Sequence, residues 1–338
     1  SEYREAFKNS DLILDFSFNR DESTNTHLFA ELDGKIDDTT DYKLNFQKVS
    51  NDSYLKVHSI GEDTEIIDSE STLMSGFNIE KRIDESTDFT SSFILYEDLS
   101  ANDHDRFQYI FPDFNFHKKL DLDESYYGKF EFLSSGFQKL YETNKHEVLL
   151  NNDFNFNSYD YINSKGIVTD YSLLLKNFNT YAKNSSSYEN KNDHDIFSTV
   201  LLKSKLPLKK NIGDNTNYLN PILQFRFSPT NGKNISADGS KIGYDNIFSS
   251  NRIGRSDMVE KGASLTLGVE FEKQNIENEK LLGINLGTVL KDKKNASLPS
   301  MSKLDQTRSD VVGNLFYKYK DNVELSYNFS YDRDLDYS

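Results

Sequence analysis

From Ala263 to Leu290 apolar and polar residues alternate one for one, and this period of two is what most restricts the fold. Ala263, Leu265, Leu267, Val269 and Phe271 share one parity, with Ser264, Thr266, Gly268, Glu270 and Glu272 on the other. After the polar stretch Gln274–Glu279 the pattern resumes as Leu282, Ile284, Leu286, Thr288 and Leu290 against Gly283, Asn285 and Gly287. A strand with one apolar and one wet face sorts residues this way; a helix does not. Two such strands of about ten residues joined by a polar turn make a hairpin long enough to cross a bilayer.

The same pattern recurs along the chain. It is read at Leu12–Phe18, Leu28–Gly34, Tyr42–Phe46, Leu73–Ile79, Phe89–Leu95, Leu315–Tyr319 and Val323–Phe329, with polar turns between. Val49–Ile60 loses its parity where Tyr54 and Leu55 adjoin, which predicts a bulge or an edge bend; helix is nowhere required. Ile110, Pro112, Phe114 and Phe116 read as one parity, with Pro112 weakening or opening the ladder because proline has no N–H to give. Pro207, near the end of Ile196–Leu208, and Pro221, near the start of Tyr218–Phe227, read as further ladder-weakening candidates or as plain strand ends. In all, roughly sixteen strands are joined by alternately tight and long connections, and an open sheet of that size curls, splits or closes. The expected fold is all-β, a large antiparallel transmembrane β-barrel, with residues 1–338 part of one barrel domain. Because the chain stops in the polar DRDLDYS, its closing strands are expected to lie outside it.

Composition supports a wet-sided sheet. Phe (25) and Tyr (20) are abundant and Pro (5) scarce, and the aromatics sit singly among Asn, Ser, Asp and Lys. Phe16, Tyr42, Phe46, Phe93, Tyr319, Tyr327 and Phe329 would face outward as interfacial girdles, in place of the absent Trp. With 39 basic and 55 acidic residues the formal net charge is −16, which disfavours nucleic acid as a partner. The absence of cysteine excludes disulfides, zinc–thiolate sites and thiol catalysis within these residues.

No enzyme or cofactor motif stands out. The six histidines are scattered, and none has a metal-binding spacing. His104 and His194 each lie in an Asp-His-Asp context, more often a surface cluster than a metal site. No P-loop, Rossmann or G-x-S-x-G signature occurs, so no catalytic residue, cofactor or metal is expected. The unusual segment is NRIGRSD, containing Asn251, Arg252, Gly254, Arg255 and Asp257, outside any strand pattern. Arg252, Arg255 and Asp257 have two readings. They could order a loop over the barrel mouth and touch lipid phosphates, or the arginines could pair with nearby acids and pin the loop.

SNDSYLK, FQYIFPDFNF (Phe107–Phe116), NPILQFRFSP (Asn220–Pro229) and IFSSNRIGRSDMVEKGASLTLGVEF (Ile247–Phe271) together resemble the LptD family (OstA or Imp) of outer-membrane lipopolysaccharide-assembly proteins. The likeness is to the barrel domain, nearest to Asn/Lys-rich versions from marine alphaproteobacteria, and NRIGRSD is its most specific part. The resemblance implies a closed barrel in the bacterial outer membrane. It would take lipopolysaccharide from an LptA-like periplasmic bridge through an upstream jellyroll and release it sideways through a strand seam. It further implies an LptE-like lipoprotein plug and insertion by the barrel assembly machinery. Enterobacterial members tie their periplasmic domain to the barrel with cysteines, which this chain lacks, and no proline precedes Pro112 to mark a gate near the start. The expected function is therefore non-enzymatic insertion of lipopolysaccharide into the outer leaflet. A porin-like diffusion channel and a secreted glycan-binding β-protein are the alternatives.

Overall fold

A computed structural model describes residues 1–20, 24–60, 64, 66–101, 105–120, 127–230, 233–320 and 323–332. His104, most of the turn expected at Lys320–Asn322 and most of the DRDLDYS end lie outside them. In chain order the strands are β1 Glu2–Ala6, β2 Ser10–Arg20, β3 Thr24–Asp37, β4 Thr40–Val49, β5 Thr72–Asp84, β6 Thr87–Asp98, β7 Phe107–Leu120, β8 Gly128–Tyr141 and β9 His146–Ser158. They continue with β10 Tyr161–Ile162, β11 Val168–Lys183, β12 Asn192–Lys205, β13 Leu208–Ile212, β14 Asn215–Ser228, β15 Gly262–Gln274, β16 Lys280–Lys291, β17 Val311–Tyr319 and β18 Val323–Tyr331. The single α-helix among the described residues is α1, Tyr54–Val57. The fold is all-β and antiparallel, as the alternation requires. The chain divides into two compact units: Ser1–Leu120 with Glu131–Asn152 and Phe178–Asp195, and Asp121–Phe130 with Asp153–Asn177 and Ile196–Ser338.

Within the first unit, register aligns like with like. Leu12, Leu32, Leu44, Phe77 and Phe93 form one cross-strand row over β2–β6. The neighbouring row, on the opposite face, is polar: Asp11, Asp33, Lys43, Asn78, Ser92 and Asp113. The second unit repeats the arrangement. Leu219, Phe271, Ile284, Leu315 and Tyr327 make an apolar row over β14–β18, beside Asn220, Glu270, Asn285, Asn314 and Asn328. A one-residue slip of any strand would place its apolar set on the polar face, so register is fixed by sidedness.

Burial runs opposite to that of a water-soluble sheet. The apolar face is open, with Phe225 44%, Leu267 40% and Leu325 58% exposed. On the polar face, Gln224, Arg226, Ser264 and Thr266 are buried. Long connections cover it with their described residues: those of 50–60 and 66–71 in the first unit, and of 233–261 and 292–310 in the second. Tight turns alternate with them, at 38–39 and 85–86 in the first unit and at 213–214 in the second.

Two tight turns share one construction. In KIDDTTD (35–41), Asp37 accepts hydrogen bonds from the Thr39 N–H (2.9 Å) and hydroxyl (2.8 Å). In RIDESTD (82–88), Asp84 does the same for Ser86, at 2.8 and 2.7 Å. Each carries a bulge just before the aspartate, which leaves Ile36 and Ile83 unpaired and exposed.

Three expectations are corrected. The parity break at Tyr54–Leu55 is not a bulge but α1, because two adjacent side chains can both be buried on a helical turn. Tyr54 and Leu55 pack there with Phe29, Val49, Ile66, Ile67, Leu73 and Leu99 over the polar face of the first unit. The parity of β7 does not run through Pro112: Ser92 pairs with Asp113 but Ile94 with Ile110, so an extra residue lies on β7. Ile110 and Phe114 therefore point to opposite faces, and Phe111 is exposed. Pro221 is interior to β14, paired with Val269 of β15, whereas Pro207 lies between β12 and β13. The Leu206 N–H donates to the Pro221 carbonyl at 3.1 Å. In an antiparallel ladder the N–H and C=O of one residue point the same way, so the N–H missing from Pro221 would have faced Leu206. The β14–β15 ladder is intact at that rung, and the loss is one bond, about 1 kcal/mol.

Candidate functional site

Residues 235–261 form a strap over the polar face of β14–β16. Two glycines make room for it. A Cβ on Gly268 would lie 2.4 Å from the Phe248 ring, and one on Gly287 would lie 3.2 Å from Ile247. Gly268 and Gly287 are cross-strand partners, so the pair makes a shallow trough into which Ile247, fully buried, and Phe248 settle. Met258, Val259 and Ile253 of the strap are buried, as are Leu298 and Leu304 of residues 292–310. The two connections are stitched together by Ile235 N–H to the Ser297 carbonyl (2.8 Å) and Ile242 N–H to the Ser302 hydroxyl (3.0 Å).

The residues singled out in NRIGRSD lie in this strap, in two charge groups. Asn251 and Gly254 close a turn: the Gly254 N–H donates to the Asn251 carbonyl at 3.1 Å, and the Asn251 side-chain amide donates to the Arg255 carbonyl at 2.5 Å. Gly254 sits at φ +76°, where a Cβ would be strained. Arg255 grips Asp257 with two parallel bonds of 2.7 Å and reaches Asp238 at 2.6 Å. The hydrogen bonds that Arg255 donates to Asp257, then to Asp238, raise the guanidinium pKa against the effect of burial. Asp238 is held low by Ser240 first and Arg255 second.

Arg252 is turned the other way and is buried. Its Nε lies 2.7 Å from Glu260 Oε2 as a contact ion pair without an aligned N–H, and its Nη2 donates to the Ser264 hydroxyl at 2.5 Å. Lys291, at the end of β16, reaches Glu260 Oε1 at 3.0 Å and the Leu304 carbonyl at 2.6 Å. Arg226, from β14, donates to the Ser250 carbonyl at 3.0 Å and the Glu260 carbonyl at 2.8 Å. Burial alone would push the Glu260 carboxyl up, but Arg252, then Lys291 and Arg226, overcome it and hold the pKa down at about 2. Glu260 thus stays ionised at the centre of three cations.

Arg226, Glu260 and Lys291 were not among the residues picked out from the sequence. Arg226 could have been: it falls on the polar parity of a strand that reads Gln224, Arg226, Ser228, and a lone arginine there needs a partner. Glu260 carried no local signal, since its partners are eight residues upstream and on two separate strands.

The prolines stand apart from this cluster. Pro112 lies at the β7 bulge in the first unit; Pro207 lies in the β12–β13 junction, with Pro221 beside it on β14. His194 Nδ1 contacts Asn179 Oδ1 at 2.8 Å. Among the described residues no group of three or more His, Cys, Asp or Glu is arranged to hold a metal.

The first unit has a counterpart strap. Arg106 makes paired bonds to Asp52 (2.8 and 2.6 Å) and reaches the buried Glu97 at 2.7 Å, tying the α1 connection down. Gln47 on β4 holds the same connection, donating to the Ile66 carbonyl at 2.9 Å and accepting from the Met74 N–H at 2.8 Å.

Comparison with known proteins adds one finding: the family model for LptD, LPS transport system D, matches residues 25–337. No curated protein matches the chain.

Proposed function

The chain belongs to the LptD family, outer-membrane proteins of lipopolysaccharide transport and assembly rather than enzymes, and from that premise we propose that it is the barrel through which lipopolysaccharide enters the outer leaflet. The observation that carries this reading is the inverted sidedness. A sheet whose apolar rows are open and whose polar face is covered in part by its own connections suits lipid outside and a hydrated path inside. Lumen-facing Asn220, Glu270, Asn285, Asn314 and Asn328 would offer hydrogen bonds to sugar headgroups, while acyl chains leave sideways through a seam between strands. Pro112, at a ladder irregularity, is a candidate for local opening. Pro207 and Pro221 together remove too little pairing to open a sheet by themselves. An LptE-like plug, an LptA-like bridge and the barrel assembly machinery are the partners this role calls for.

The test is depletion of the full-length protein in its own host, with surface labelling of newly made lipopolysaccharide. The expected result is that new lipopolysaccharide stalls on the periplasmic side. Unchanged export would remove the transport reading and favour a diffusion channel, for which ion conductance of the purified protein is the direct assay.

A further inference from the structure

The cluster around Glu260 holds more cationic than anionic groups. Arg226, Arg252 and Lys291 surround one carboxylate, and all four side chains are almost wholly buried. Uncompensated charge in such a place is costly. Donors are also in excess. Among the described residues, Arg226 Nη2 and Gln224 Nε2 are buried and have no acceptor.

The groups differ in what carries them. Arg226, Ser264 and Lys291 form one cross-strand row, and Gln224 and Thr266 begin the next row on the same face. These five side chains ride on neighbouring strands about 4.8 Å apart, a rigid mount. Arg252 and Glu260 ride on the strap. If the strap lifts, the strands keep two cations, two hydroxyls and an amide, with no carboxylate among them.

We infer that the Arg226–Ser264–Lys291 row is a cradle for a phosphate monoester, that Glu260 occupies it as the strap's own carboxylate, and that a phosphate-bearing lipid headgroup displaces Glu260 and frees the strap. The source of the phosphate rests on the transport reading; the cradle itself does not. A phosphate monoester carries about −1.5 to −2 charge at pH 7 and three acceptor oxygens, so it would neutralise more of the cluster and satisfy more donors than one carboxylate does. The guanidinium fork and the lysine point charge are both suited to phosphate oxygens. Glu260 is thus an autoinhibitory contact, and the strap is a lid that opens on cargo.

The experiment uses full-length protein purified in detergent. Binding of inorganic phosphate, and of phosphatidic acid in mixed micelles with phosphatidylcholine as the blank, is measured by calorimetry. Amide exchange over residues 247–259 is followed in parallel. Phosphatidic acid is expected to speed that exchange, Glu260→Gln to tighten binding more than a hundredfold, and Arg226→Gln or Lys291→Gln to weaken it about tenfold. Making the last two separately keeps the test standing if either fails to fold. Equal affinity of wild type and Glu260→Gln overturns the cradle, as does absence of binding to both probes. Binding of inorganic phosphate without a response to phosphatidic acid overturns the headgroup as ligand. Tight binding in a protein whose depletion leaves export unchanged would refute the transport reading and leave the cradle intact.

Discussion

An arginine at Leu267 separates a lipid-facing sheet from a soluble one. Leu267 is the sixth of thirteen residues in β15, one position from the strand midpoint, on the apolar face and 40% exposed. At about 3.4 Å per residue and a tilt near 45°, each position climbs about 2.4 Å, so Leu267 lies within about 3 Å of mid-height. Arginine on the lipid face costs about 2–4 kcal/mol at the bilayer midplane and about 0–1 near the interfaces. Leu267→Arg should therefore fall near 3–4 kcal/mol, a loss of more than a hundredfold in the folding equilibrium. Ala263→Arg, about 12 Å from mid-height, should cost under about 1 kcal/mol. Asn328→Arg, exposed on the polar face, should stay within about 0.5 kcal/mol of wild type. The assay is reversible guanidinium unfolding of the full-length protein in lipid vesicles. If Leu267→Arg is no more costly than Asn328→Arg, the apolar face does not contact lipid and the sidedness argument is wrong.

Glu260→Gln removes the only carboxylate among three buried cations, so local opening of the strap should become easier by about 3–5 kcal/mol, read as faster amide exchange at Met258 and Val259 than in β15. The same residue sets a pH window. Its folded pKa of about 2 lies below the ordinary glutamate value near 4.3, so its stabilisation is present above that value and is lost as pH falls through about 2. Exchange of the strap should be flat from pH 7 to 5 after correction for intrinsic rates and rise below about pH 4, a rise that Glu260→Gln lacks. Gly268→Ala places a methyl group where the Phe248 ring now sits, so Phe248 must leave its trough at a cost of about 1–3 kcal/mol, visible as strap exchange with little change in the sheet. Leu55→Ala, in the core under α1, should cost about 2–4 kcal/mol in thermal unfolding, and loss below 1 kcal/mol would mean that the cluster around Phe29 collapses onto the gap.

What was legible in the sequence was what repeats with a period of two. Leu265–Phe271 and Leu282–Leu290 lie on the face their parity assigns, because a strand has only two faces and a slip would reverse every side chain. Phe16, Phe46, Phe93, Tyr319 and Tyr327 are exposed as their parity requires; Tyr42 and Phe329 are only half so. Period alone could not say which face the connections would cover, since a soluble core and a lipid face use the same residues; burial of Arg226 and exposure of Phe225, its sequence neighbour, show it to be the polar one. Local pairs were within reach too: Arg255 and Asp257 are two residues apart, and their ion pair is a short-range event. The Arg252–Glu260–Lys291–Arg226 cluster was not, because it depends on a strap laid across three strands. Proline gave mixed information. Its missing N–H was certain, but whether that N–H had a partner to lose depended on register, which placed Pro221 inside a strand and broke the parity at Pro112.

The twin turns KIDDTTD and RIDESTD bear on how so large a sheet could arise and assemble. Each closes through contacts no more than a few residues apart: an aspartate that caps its own turn, and a bulge that sets the stagger of the two strands it joins. Nothing about such a turn depends on how many strands lie beyond it. A hairpin can therefore be copied, added or dropped as a pair of strands without disturbing the parity of its neighbours, and barrels of this kind can change girth in steps of two. The same independence means that the register of these two hairpins is set by their own turns and not by the strands that join them later.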